Sequence, residues 1–211
     1  SRNLTTSVLT HKSQAGEILK EYIALAERQH DRKIKKVRSD NGGEYTSQDI
    51  EDYFSSNGII HEKTVPGCSS QNGGAEKMIH RIQEVGRAML LGSGLPSEHW
   101  PDAVCYATVV INRTPTDVLE GKAPYELWTG RPLEPELKRL RVFGAVIWAP
   151  LNNDKAPKLK QQAFRARFLG FTPYVKGFKV IYEEGPQKGC VRIVRRIISD
   201  ERPASRELLL D

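Results

Sequence analysis

The chain has 211 residues, 38% hydrophobic and 27% charged, with a formal net charge of +6. That composition points to a folded soluble protein of one large domain, or a medium one with a small companion. It holds no run of about 18 apolar residues to span a membrane, and its first ten residues lack a basic-then-apolar signal layout. The three cysteines, Cys68, Cys105 and Cys190, are odd in number and far apart. With no Cys-x-x-Cys and no zinc-finger His pair, they exclude a disulfide framework and fit a reducing compartment.

In chain order, residues 4–9 (LTTSVL) alternate and read as a strand. Ile18, Leu19, Tyr22, Ile23 and Ala26 recur at helical spacing and predict a helix over 14–29, with Ser13 as N-cap. Residues 34–39 (IKKVRS) form a short strand that ends at Asp40, followed by the Asn41-Gly42-Gly43 breaker. A helix over 47–56 closes at Asn57-Gly58, and 59–65 (IIHEKTV) is again a strand. Residues 66–74 (PGCSSQNGG) are a flexible loop before a long helix over 75–91. A further helix runs from Pro96 to Ile111, and a short one lies near Tyr125–Trp128. After Leu137 the chain becomes β-rich, in short segments cut by Gly, Pro, Asn and Lys, which suggests a small antiparallel barrel or sheet. The strand–helix alternation of the first part is an α/β layout. The expected organisation is therefore a core over 1–136, a β domain over 137–200 and a tail over 201–211. Cys105, Trp100 and Trp128 read as core, as does Trp148 in the barrel.

Charge divides at the same boundary. Residues 1–136 carry a net −3 and residues 137–211 a net +9. A basic final third suits a polyanion, nucleic acid being the commonest, although a solvated basic face is the plain alternative.

Two acids stand out, Asp40 in RSDNGGEY and Glu76 in QNGGAEK, with 35 residues between them. Phosphodiester chemistry on divalent metals needs hard oxygen ligands gathered from separate elements. Asp40 ends a strand, where open α/β sheets place their sites. Glu76 falls in the first turn of a helix behind a loop, so its approach can be gated. On that helix Met78, Ile82, Val85 and Met89 form an apolar stripe, and Glu76, His80, Gln83 and Arg87 form a polar one. Taken singly, Glu76 is explained by the helix dipole and Asp40 by a turn. Together, inside distinctive strings, they favour a metal-holding pair. Lys33, Lys35, Lys36 and Arg38 suit DNA contact or edge protection equally. His61 and His80 read as surface or locally hydrogen-bonded residues.

The ordered series RSDNGGEY, GIIHEKTVPGCSSQNGGAEK, GRAMLLGSGLP, HWPDAV, INRTPT, APYELWTG and LRVFGAVIW resembles the integrase of copia-type LTR retrotransposons, within the retroviral integrase and DDE transposase group. The resemblance continues through FLGF, KGFKV and RRIISDE and covers nearly the whole chain. It implies an RNase H-like catalytic core followed by a small SH3-like β-barrel. It also implies Mg²⁺ or Mn²⁺ dependence, processing of element 3′ ends, and strand transfer into target DNA. Partners would be element and target DNA and further copies of the chain, acting in the nucleus, with a cytoplasmic particle as a second location. No membrane or small-molecule substrate is expected. Asp40 matches the second acid of the Asp-Asp-Glu triad and Glu76 the third. The first would precede the strand at 4–9, beyond the chain's beginning, as would a zinc-binding module. Lys77 keeps the basic residue after the glutamate, whereas Ile79 replaces the usual Asn. Lys77, His80, Gln83 and Arg87 are the expected nucleic-acid contacts. Glu44 is the nearest substitute ligand, while Asp49, Glu51 and Asp52 are expected to face solvent. Two other readings compete with the integrase reading. One is a catalytically dead nucleic-acid or partner-binding module. The other, an RNase H-type or transposase nuclease, is disfavoured by the 35-residue spacing.

Overall fold

The computed structural model describes residues 1–40, 42–64, 73–151, 162–172 and 175–199. The loop expected at 66–74 falls mostly outside the described residues, as do Cys68 and the 201–211 tail. By its contacts the chain divides into two units, Ser7–Arg81 and Ser1–Thr6 with Ile82–Asp211.

In the first unit a 3-10 turn at Lys12–Gln14 leads into α1 (Ala15–His30). Ser13 does not cap this helix. Gln14 precedes it, and its longer side chain gathers the donors of the preceding turn: Oε1 accepts the N–H groups of Thr10 at 3.0 Å and His11 at 3.1 Å. The strands β1 (Lys36–Ser39) and β2 (Ile60–Lys63) are joined through α2 (Gln48–Ser56) and pair in parallel, Lys36 opposite Ile60 and Ser39 opposite Lys63. A parallel pair needs such a crossover, and α2 supplies it. Ile23 of α1, Ile50 and Phe54 of α2, and Ile59 form the buried core, with Leu19, Ile34, Val37 and Tyr53 against it. β1 alternates, so Val37 and Ser39 turn inward while Lys36 and Arg38 face out.

The boundary between the units falls inside α3 (Gly73–Ser93). In the second unit, a 3-10 turn at Ser97–His99 precedes α4 (Trp100–Asn112), followed by α5 (Pro124–Thr129) and a four-residue α6 (Glu134–Leu137) that the sequence did not signal. Five strands then follow: β3 (Val146–Pro150), β4 (Ala163–Phe171), β5 (Phe178–Tyr182), β6 (Val191–Val194) and β7 (Ile198–Ser199). They form one antiparallel sheet in the order β6-β5-β4-β3-β7, which is open among the described residues. Tyr106 of α4 sits at the centre of the core beneath this sheet. It is buried with Ile147, Ala149, Ala166, Phe168, Val180 and Tyr182. Its ring meets Phe168 edge-on at 5.2 Å, its hydroxyl donates to Arg141 O at 2.5 Å, and it accepts from Arg141 N–H at 3.0 Å. Gly170, at φ +120, lets β4 pass this ring, since a Cβ there would lie 3.2 Å from it.

Three further expectations are corrected. Residues 4–9 are not a strand. The buried Asn112 side chain takes the place of a strand neighbour: its Oδ1 accepts from Leu4 N–H at 2.9 Å and its Nδ2 donates to Leu4 O at 2.7 Å. Trp100 is 57% exposed and is no core anchor; Ala103, Tyr106 and Ala107 give α4 its buried side instead. Trp148 is 41% exposed because the pleat sends Ile147 and Ala149 inward, leaving Trp148 outward between Arg165 and Ile198.

Candidate metal and nucleic-acid site

Asp40 directly follows the carboxyl end of β1 and is exposed. Its Oδ1 accepts the N–H of Gly42 at 3.1 Å, and no second bond to its carboxylate occurs among the described residues. One oxygen is thus fixed by the turn, and an exposed carboxylate is a donor that suits a hard divalent cation. A Cβ on Gly42 would lie 3.1 Å from both Asp40 Oδ1 and Glu44 Oε1. The two carboxylates therefore flank the same bare glycine. Tyr45 feels both: burial pushes its phenol up, and the charges of Glu44 and Asp40 push it further.

Behind Asp40 lies a second layer. Ser39 Oγ donates to Asp40 O at 2.8 Å and lies 2.8 Å from His61 Nε2 on β2. The His61 ring rests against Phe54, with centroids 4.9 Å apart, and its Nδ1 is buried without a hydrogen bond. Burial holds the His61 imidazole below its ordinary pKa, Lys63 adding to the effect and Glu51 opposing it.

Glu76 lies in the first turn of α3, exposed, with no ion pair among the described residues. Lys77, His80, Gln83 and Arg87 are exposed on the same helix, while Met78, Ile82, Val85 and Met89 are half-buried. Asp40 and Glu76 share no hydrogen-bond partner among the described residues. The carboxylate that the structure brings next to Asp40 is Glu44. No group of three or more His, Cys, Asp or Glu side chains that could hold a metal occurs among the described residues.

The basic strand is largely spoken for. Lys36 and Arg38 both reach Glu62, at 2.5 and 2.8 Å, and hold its carboxyl below the usual range; Lys33 pairs with Glu27 at 2.6 Å. Of the helix acids, Asp49 pairs with Lys20 and Glu51 with Lys63. A cleft lined by Lys12, Ser13, Lys20, Gly43, Glu44 and Ser47 opens beside the Asp40 turn. Cys105 is half-buried; burial and the Asp102 charge push its thiol up, with Lys179 opposing.

No protein-family model matches the chain. Over 180 residues, 85% of its length, it is 39% identical to the retrovirus-related Pol polyprotein from transposon TNT 1-94 of Nicotiana tabacum. The chain is a homologue of the Pol polyproteins of copia-type retrotransposons. It is also 31% and 32% identical, over 164 residues or 78% of its length, to those from transposons RE2 and RE1 of Arabidopsis thaliana. It spans 13%, 11% and 11% of the length of these three curated relatives. Among solved structures it resembles a chain of the simian T-cell lymphotropic virus intasome in complex with the PP2A regulatory subunit B56 gamma. That match has 16% identity and a TM-score of 0.46, covering 94% of this chain and 68% of that one. It also resembles the catalytic core domain of BIV integrase, at 20% identity and a TM-score of 0.43, covering 64% and 80% of the two chains. No helix of the described residues is long and apolar enough to cross a membrane.

Asp40 and Glu76 stand out in the sequence by their strings, whereas the Ser39–His61 pair does not. The alternation of β1 puts Ser39 on the inward side with Val37, but their union needed the β1–β2 register, which no local pattern contains.

Proposed function

We propose that this chain is the integrase segment of a retrotransposon Pol polyprotein, acting in DNA 3′-end processing and strand transfer. On this reading residues 1–136 belong to an RNase H-like catalytic core and residues 137–200 to an SH3-like β domain. The observation that carries it is the 39% identity over 180 residues. That alignment leaves only 31 residues of the chain outside it, so its span takes in both acidic strings.

Asp40 and Glu76 would hold Mg²⁺ or Mn²⁺. The metal, when bound, lowers the pKa of the attacking water or hydroxyl and steadies the leaving oxygen. The chain's own part is to place the ligands. The Gly42 N–H fixes one oxygen of the exposed Asp40 carboxylate. The absent Cβ of Gly42 keeps room for the Asp40 and Glu44 carboxylates. Lys77, His80, Gln83 and Arg87, exposed on α3, line a row that would track the DNA backbone. The net +9 of residues 137–211 adds a polyanion attraction. Work on two DNA partners, as a multimer in the nucleus, completes the proposal.

Residues 1–211 as a separate polypeptide present two of the triad's three acids. Such a polypeptide is expected to bind duplex DNA with affinity falling steeply as salt rises, yet to join DNA ends negligibly with Mg²⁺ or Mn²⁺. Anisotropy titrations across a salt series, run beside a strand-transfer assay, test this. Salt-insensitive or absent binding contradicts the DNA reading, and robust joining contradicts the roles given to the acids.

A further inference from the structure

We propose that His61 and Ser39 are positioning residues that hold Asp40 in place from behind. This deepens the reading of Asp40 as a metal ligand, and its consequence for metal rests on that reading.

The hydrogen bonding has one consistent direction. Ser39 has a single hydroxyl proton, and Asp40 O, a carbonyl, can only accept it. Ser39 Oγ must therefore accept at its other contact, so His61 Nε2 carries the proton that it donates. His61 is then the neutral Nε2–H tautomer, with a bare Nδ1. That agrees with Nδ1 being buried and unbonded, since an Nδ1–H there would lack an acceptor. The relay runs His61 Nε2–H to Ser39 Oγ–H to Asp40 O. Phe54 fixes the ring plane, and the parallel register sets His61 opposite Val37, two residues before Ser39. At its far end the same residue is held through its carboxylate by Gly42 N–H. Asp40 is thus tied at main chain and side chain while the residue stays exposed. Such supporting bonds around a metal ligand have effects out of proportion to their number, because they fix the ligand's orientation before the ion arrives.

The test uses the 211-residue chain labelled with ¹⁵N and ¹³C. Long-range ¹H–¹⁵N spectra should show His61 protonated at Nε2 alone. His61→Leu removes the donor, and His61→Gln offers an amide donor at similar reach. The Gly42 amide and Asp40 side-chain carbon shifts should move in His61→Leu and in Ser39→Ala, and return towards wild type in His61→Gln. Mn²⁺ affinity, read as paramagnetic broadening at Asp40, should weaken about tenfold in His61→Leu and recover in His61→Gln. An Nδ1–H tautomer overturns the relay. So do Gly42 and Asp40 shifts indifferent to His61→Leu in a chain that still gives a folded spectrum. A purely structural role is also separable: it lowers the unfolding midpoint in both His61 variants alike, with no recovery in Gln. If wild-type chain shows no Mn²⁺ broadening at Asp40, the metal reading fails by itself, and the shift and tautomer measurements still decide the relay.

Discussion

At the scale of single residues, the turn after β1 is built around absent atoms and fixed protons. Gly42 carries no Cβ where one would press on two carboxylates, so Gly42→Ala should displace Asp40 or Glu44. The expected outcome is weaker Mn²⁺ binding with little loss of stability, whereas Gly43→Ala, which meets nothing within 4 Å, should change neither. His61 gives a pH signature with a definite sign. Its pKa in the folded chain lies below the ordinary 6.5, so the unfolded chain binds the proton more readily. The stability associated with the neutral ring is complete above about pH 6.5 and is lost as pH falls through the lower, folded value. Urea unfolding followed at several pH values should show this loss in wild type and a flatter profile in His61→Leu. Asp40 was legible from its string alone, because a carboxylate at a strand end followed by Asn-Gly-Gly is a local pattern. Glu44, four positions on, was also legible as a neighbour, whereas the Ser39–His61 contact was not, because it depends on the β1–β2 register.

At the scale of elements, the helices were read closely because apolar spacing and glycine stops are local signals. The expected 75–91 helix is observed as Gly73–Ser93, and the expected 47–56 helix as Gln48–Ser56. The misreading at 4–9 has a physical cause. Alternation signals an extended chain, but whether that chain pairs with a strand or with an asparagine side chain depends on residue 112. Trp148 faces outward because in a strand parity, not bulk, decides which side meets the core. Contact between α3 and α4 rests on Gly86, where a Cβ would lie 3.1 Å from Val104 Cγ2 and 3.2 Å from its Cα. Gly86→Val should therefore cost about 1–3 kcal/mol by forcing the helices apart. Gly92→Ala, with open space around it, should be neutral or stabilising by up to about 1 kcal/mol. Unfolding midpoints of the two variants test the contrast. Tyr106→Phe keeps the ring contacts but removes both hydrogen bonds to the Arg141 main chain, and should cost about 1–3 kcal/mol in the same assay.

At the scale of the whole molecule, charge is segregated along the chain, from net −3 over residues 1–136 to net +9 over 137–211. A chain that grips a polyanion through its last third should respond to salt through the number of phosphates neutralised, with a log–log slope of roughly −0.9 for each. Replacing exposed Arg192, Arg195 and Arg196 by Gln should lower that slope, while Lys36→Gln and Arg38→Gln, whose partners are within the protein, should leave it nearly unchanged. Asp40 and Glu76, two acids from separate elements, are proposed to hold one divalent-metal site. Paramagnetic broadening of their side-chain resonances during a single Mn²⁺ titration tests it most directly. Both should broaden at the same Mn²⁺ concentration, and Asp40→Asn should abolish the effect at Glu76. Broadening at Asp40 and Glu44 with Glu76 untouched, or at neither Asp40 nor Glu76, would contradict it.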